Sequence, residues 1–313
     1  MEERASIGSL PAHAAGVFEE IAACHVSRAG TYLIFDRRAH AVYTFSRGAD
    51  APEKVVQIGG EAGRIISPTA FDSAPDGTFM VVDAPGALRR VQFFAPSGAS
   101  LGGFTIAGRP LPLIAAGDVT ISGLGGLKYT GSSMLMSQPE TGALVTEYGL
   151  DGTPRRVFGE LRATGQEKDR AVHEALNVGL VLPLPRGGFY YVFLSGVPMF
   201  RKYDADGKLA FERHVQGIEV DPYVSRMPGS WRRRTADGEI PLVPSMIRTA
   251  AVDPAGNLWV SLVAPFTYVY DGTGEKRRTI QFRAAGIVAP ASLFFTHDAR
   301  LLVAPGCYLF GAH

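Results

Sequence analysis

The chain has 313 residues and a net charge of +1, which gives no overall attraction to nucleic acid or to anionic membranes. Hydrophobic residues make up 46% and charged residues 19%, which excludes a disordered chain. No apolar run reaches the ~18 residues of a membrane span.

Residues 1–17 are weakly patterned, with a single strand-like segment at about 5–10. No apolar leader is visible after Met1-Glu2-Glu3-Arg4. As written, the chain reads as cytoplasmic; with a leader trimmed away, it reads as periplasmic or secreted. From Ile21 onward the text settles into a repeat. Ile21–Val26, Thr31–Phe35, Val42–Phe45 and Val55–Ile58 are β-branched and aromatic runs separated by turn residues. The second unit is the clearest: Ala74-Pro75-Asp76-Gly77 turns into Phe79–Asp83, and Arg90–Phe94 runs into the turn Ala95-Pro96-Ser97-Gly98. A third unit is expected from Val119-Thr120-Ile121 through Met134–Met136 and Leu144–Tyr148 to Val157-Phe158. The fourth holds Phe189–Val192 and Met199–Tyr203, the fifth Leu258–Val260 and Thr267–Tyr270, and a short sixth Ser292–Phe295, Arg300–Val303 and Cys307–Phe310.

The first-turn glycine recurs at Gly30, Gly77, Gly131, Gly188 and Gly256, with Ala299 in the same slot of the sixth unit. Four-strand units repeating every 40–50 residues or so are propeller blades, which stack around an axis because one blade cannot bury both its faces. The expectation is an all-β, six-bladed β-propeller of four-stranded antiparallel blades. The blades are placed at about 18–60, 66–107, 115–159, 177–215, 247–283 and 287–313. The sixth lacks a fourth strand, and the segment 5–10 is expected to supply it and close the ring. Cys24 and Cys307 fall in the first and last units, which a ring makes neighbours. Two buried thiols are the default, with a bridge as the alternative.

Asp76-Gly77, Val81-Val82-Asp83, Arg90–Phe94 and Gly98 together resemble the repeat of the NHL family of six-bladed propellers. Ala255-Gly256-Asn257-Leu258-Trp259-Val260 with Tyr270-Asp271-Gly272 is similar. Members of that family bind proteins or RNA, and hydrolases and lyases share the architecture. The resemblance therefore implies a fold and leaves the function open.

Antiparallel order places the first and third turns of every blade on one face of the ring. The second turns and the blade-to-blade connections lie on the other. Two connections are long, about 160–176 and about 216–246, so both are expected on one face, forming a lid beside the channel mouth. The first carries helical text after Thr164. The second places Tyr223 and Trp231 beside Arg232-Arg233-Arg234, an aromatic and cationic set suited to an anion, a carbohydrate or a base.

The candidate ligand residues at that mouth are Arg37, Arg38, Asn177, Tyr223, Trp231 and Arg248. The favoured function is a monomeric binding propeller for a small molecule, glycan or peptide. Nucleic acid is not expected as a partner, and RNA, by family analogy, ranks below the other readings. The alternative is a hydrolase or lyase working in the channel with Glu20 and His173. No cofactor is expected; the alternative is calcium held by Glu20, Asp118 and Asn177, although calcium wants 6–8 oxygen ligands. The seven histidines form no HxH or HxxxH pair, and no nucleophile elbow or Walker loop is present.

Overall fold

A computed structural model of the chain describes all residues except 47, 86–88, 107–112, 117–118, 123–125, 228–241 and 312–313. Blade one runs Ile21–Val26, Tyr32–Asp36, Ala41–Phe45 and Glu53–Val56 from the axis outward. Blade two runs Pro68–Ser73, Phe79–Asp83, Arg89–Phe94 and Ser100–Ile106. Blade three holds Leu127–Tyr129, Met134–Ser137, Ala143–Tyr148 and Pro154–Glu160. Blade four holds Gly179–Pro183, Phe189–Phe193, Met199–Tyr203 and Leu209–His214. Blade five is Ile247–Val252, Leu258–Leu262, Thr267–Tyr270 and Lys276–Arg283, and blade six is Ser292–Phe295, Leu301–Ala304 and Tyr308–Phe310. Successive strands within each blade pair antiparallel, so the chain is a six-bladed β-propeller.

The burial pattern explains the ring. The second strands Phe79–Asp83, Phe189–Phe193 and Leu258–Leu262 are buried at every position, because each is pressed between two neighbouring blades. The outermost strands Ser100–Ile106 and Leu209–His214 are largely exposed. The apolar core is accordingly divided into wedges, one between each pair of neighbours. Phe35 and Phe79 meet between blades one and two, Met80 and Met134 between two and three, and Leu135 and Tyr191 between three and four. Phe200 and Tyr268 fill the fourth wedge, Trp259 and Val303 the fifth, and Ile34 and Leu302 the one that closes the circle.

The repeated first turn keeps one geometry throughout. Gly77 has φ +89°, and Ala299 adopts φ +61° in the same slot of blade six. The left-handed backbone, rather than the glycine itself, is what repeats.

The ring closes where expected. Ile7 N–H donates to Leu309 O and Leu309 N–H to Gly8 O, both at 2.8 Å, so the amino-terminal segment lines the free edge of blade six. Just before it, Glu2–Ala5 lies parallel to Lys276–Arg283 on the outside of blade five. A disulfide between Cys24 and Cys307 adds a covalent link across the same junction. The default of two buried thiols is therefore corrected: the ring brings the Cα atoms to 5.6 Å, within bridging distance.

Blade three also needs a correction. Val119–Ser122 is not its inner strand. That segment pairs with Leu113–Ala116, which runs parallel to Leu242–Pro244 of the second long connection, in a small sheet off the ring. The true inner strand is the shorter Leu127–Tyr129, whose Tyr129 N–H is held by the Asp72 carboxylate at 2.7 Å. Val-Thr-Ile is the better strand text, but the charged Lys128 is held in the channel by the same carboxylate. Leu113–Ala116 and Val119–Ser122 thus lie on a third excursion from the ring, between blades two and three.

The two long connections do share a face. The first carries the helix Arg170–Asn177, capped by the Asp169 side chain, and its Val172, Ala175 and Leu176 pack with Val243 of the second connection.

Candidate functional site

The inner strands of all six blades enclose a channel of about 250 Å³. Most of its wall is apolar, including Phe35, Phe71, Leu182 and Leu293. Three cations interrupt that wall. Arg248 is the second residue of the inner strand of blade five, and Arg37 stands in the second turn of blade one; topology places both at the loop-face end. Lys128 lies deeper, on the inner strand of blade three.

Two of the three cations are neutralised. Arg37 pairs with Glu20. Lys128 Nζ lies 2.9 Å from Asp72 Oδ1, and that carboxylate is buried. Arg248 is half-buried; its Nε donates weakly to Val263 O at 3.4 Å, and it has no carboxylate partner among the described residues. Among the described residues, Arg248 is therefore a positive charge without a carboxylate at the loop-face end of the channel, set against apolar walls where low polarity strengthens its pull on an anion.

Nearer the other end lies a polar knot. His25 Nδ1 is 2.8 Å from Ser73 Oγ and 3.9 Å from Asp72 Oδ1, and the ring stacks on Phe294 at 4.2 Å between centroids. Burial pushes the His25 pKa down to about 3, against the pull of Asp72 and with help from the Lys128 charge. Ser73 and Asp72 both face the same ring nitrogen. A nucleophile–base–acid relay needs the serine and the carboxylate on opposite nitrogens, so this trio is not one. A base this weak is also poorly matched to proton abstraction at neutral pH.

The other expected site residues are dispersed. Arg38 is exposed and lies 3.8 Å from Glu19. Asn177 is fully buried: its Oδ1 accepts Arg162 N–H at 2.8 Å and its Nδ2 donates to His173 O at 3.0 Å, fastening the helix to the chain that enters it. His173 sits on that helix with Nδ1 2.7 Å from Thr164 Oγ1. Tyr223 is exposed on the short helix Asp221–Val224. None of these four lines the channel. Trp231 and Asp118 lie outside the described residues. The structure therefore brings together Arg37 and Arg248 of the expected set, with Glu20 as the counter-ion of Arg37.

The alternative calcium set is not assembled by the described residues. Glu20 is engaged by Arg37 and Asn177 by the backbone, and no group of three or more His, Cys, Asp or Glu among the described residues is placed to hold a metal ion. His25, Asp72 and Lys128, which the sequence reading does not place at the site, lie further along their strands than the inner-strand starts on which it rests.

A wider cavity of about 750 Å³ opens at the opposite end of the axis, lined by Val26, Pro75, Pro185, Pro254 and Phe294 among others. Arg28, Thr130 and His297 also line it, and its carboxylate Asp253 is engaged by Trp259 Nε1 and Asn257.

Neither a protein-family model nor a curated protein sequence matches the chain. Solved structures do. A streptogramin B lyase superposes with a TM-score of 0.53 at 9% identity, covering 96% of this chain and 94% of that one. A protein of unknown function from Bacteroides thetaiotaomicron VPI-5482 gives 0.52 at 13% identity, over 98% and 73%. Virginiamycin B lyase from Staphylococcus aureus gives 0.50 at 10% identity, over 92% and 78%. At such identities the shared property is the propeller itself.

Proposed function

We propose that this chain is a binding propeller that holds a small anion at the loop-face end of its channel. The observation that carries the reading is Arg248, which lines the mouth without a carboxylate partner among the described residues while Arg37 and Lys128 have theirs. A cavity of about 250 Å³ suits a ligand the size of a monosaccharide or a small organic acid, near the lower end of small-molecule sites. The NHL-like turn and strand text of blades two and five fits a binding role. The buried Cys24–Cys307 bond fits an oxidising compartment.

Calorimetric titration with glucuronate, using glucose as the neutral control, tests the reading. Glucuronate is expected to bind and glucose to bind at least tenfold more weakly. Arg248→Ala is expected to remove about 1.5–3 kcal/mol of glucuronate affinity, the usual worth of a charged hydrogen bond. Equal affinity for the two sugars, or an indifferent Arg248→Ala, rejects it.

The second reading, a hydrolase or lyase, has one observation in its favour: His25, Asp72 and Lys128 line the channel, with Ser73 hydrogen-bonded to His25. The depressed proton affinity of His25 argues for the binding role instead.

A further inference from the structure

A cavity separate from the channel opens on the flank of blade four, beneath the connection that leaves blade three. Its volume is about 570 Å³, within the range of small-molecule sites. Leu176 comes from the helix, Val197 and Met199 from blade four, and Met227 from the second long connection; together they make an apolar wall. Methionines are adaptable packing partners for ligands of varied shape. Arg162 also lines this cavity.

Arg162 is only 7% exposed, and it forms no ion pair among the described residues. Three of its five N–H bonds go to backbone carbonyls: Nη1 to Val197 O at 2.8 Å, and Nη2 to Leu176 O at 2.7 Å and to Ser195 O. That leaves Nε–H and one Nη1–H with no acceptor among the described residues. The guanidinium lies over the Phe193 ring at 4.2 Å, and Arg201 lies over the same ring at 5.4 Å. The nearby carboxylate, Glu212, is taken by Arg201 Nε at 2.6 Å. Two guanidinium groups therefore share one carboxylate in this wall.

Burial lowers the pKa of Arg162 to about 10, yet the group stays charged at neutral pH. A buried charge answered only by dipoles is costly, and an incoming anion removes that cost. Gly196, also in the lining, lets the guanidinium close onto the backbone: a Cβ there would come within 2.9 Å of Arg162 Nη2 and 3.0 Å of Leu176 Cδ2.

We infer that this pocket binds a monocarboxylate with an apolar body, its carboxylate at Arg162 and its body against Leu176, Val197, Met199 and Met227. The site is independent of the channel and of the reading proposed for it.

Calorimetry on the full chain with octanoate, using 1-octanol as the uncharged counterpart, tests the inference. Octanoate is expected to bind with one-to-one stoichiometry and at least tenfold tighter than 1-octanol. Arg162→Gln is expected to lower octanoate affinity at least tenfold. Because that change also removes the carbonyl bonds that hold the connection, Val197→Trp is the second variant: it fills the cavity from its rim and leaves Arg162 in place. It is expected to weaken octanoate at least tenfold with the melting temperature unchanged. Absence of octanoate binding at millimolar concentration overturns the inference, as does equal affinity for the alcohol. Octanoate binding that survives Val197→Trp but is lost in Arg248→Ala belongs to the channel and overturns it too.

Discussion

Replacing both Cys24 and Cys307 by alanine is expected to lower the free energy of unfolding by about 5 kcal/mol, on the loop-entropy account of a cross-link. The bond spans 283 residues of sequence, nearly the whole chain, and so removes an unusually large share of the freedom of the unfolded state. Both residues are buried in the wedge between blades six and one, the junction where the ring closes. The non-covalent closure there consists of that wedge and the pairing of Ile7 and Gly8 with Leu309. Urea unfolding of the oxidised protein, the dithiol-reduced protein and the double variant measures the effect. Reduced and double-variant proteins should lose similar stability. A loss below about 1 kcal/mol in both would mean that the wedge holds the circle without the bond.

Acid should destabilise the protein through His25, and His25→Gln should relieve much of that loss. The folded chain holds this imidazole neutral down to a pKa of about 3, whereas an unfolded histidine titrates near 6.5. Between those values the unfolded state binds a proton that the folded state refuses. Stability therefore rises with pH across the window and is lost as pH falls through it. The integrated contribution between pH 7 and pH 4 is about 3 kcal/mol. Glutamine keeps a polar group for Ser73 and removes the titration. The measurement is urea unfolding of both proteins at pH 7 and pH 4. Parallel losses in the two would show that His25 takes up its proton as readily folded as unfolded.

What could be read from the amino acids divides along a physical line. The blades were legible because each turn and strand is specified locally. Asp76-Gly77 and its counterparts announce a left-handed turn, and the equivalence extends to Ala299, which takes the same backbone without being glycine. The closure by the amino-terminal segment followed from counting strands. That the two long connections share a face followed from antiparallel order, and the packing of Leu176 with Val243 agrees with it. Blade three misled because Val119–Ser122 is strong strand text that pairs off the ring, where propensity is silent about the partner.

The site was legible only in part, since it is assembled from distant segments. Arg37 and Arg248 could be placed at the mouth by position within a repeat. His25, Asp72 and Lys128 come from three different blades, and nothing local to any one of them signals the other two. Asn177 looked like the first residue of an inner strand. It is instead the last residue of a helix, and its amide closes that helix onto Arg162. Arg162 gives no signal in the sequence, because its distinction is the lack of an ion pair among the described residues.

The most direct measurement is a crystal structure of the full chain grown with glucuronate. The expected result is the sugar in the channel at the loop-face end, its carboxylate within hydrogen-bonding distance of the Arg248 guanidinium. Glucuronate seated in the wide cavity at the opposite end of the axis, with Arg248 untouched, would contradict the account.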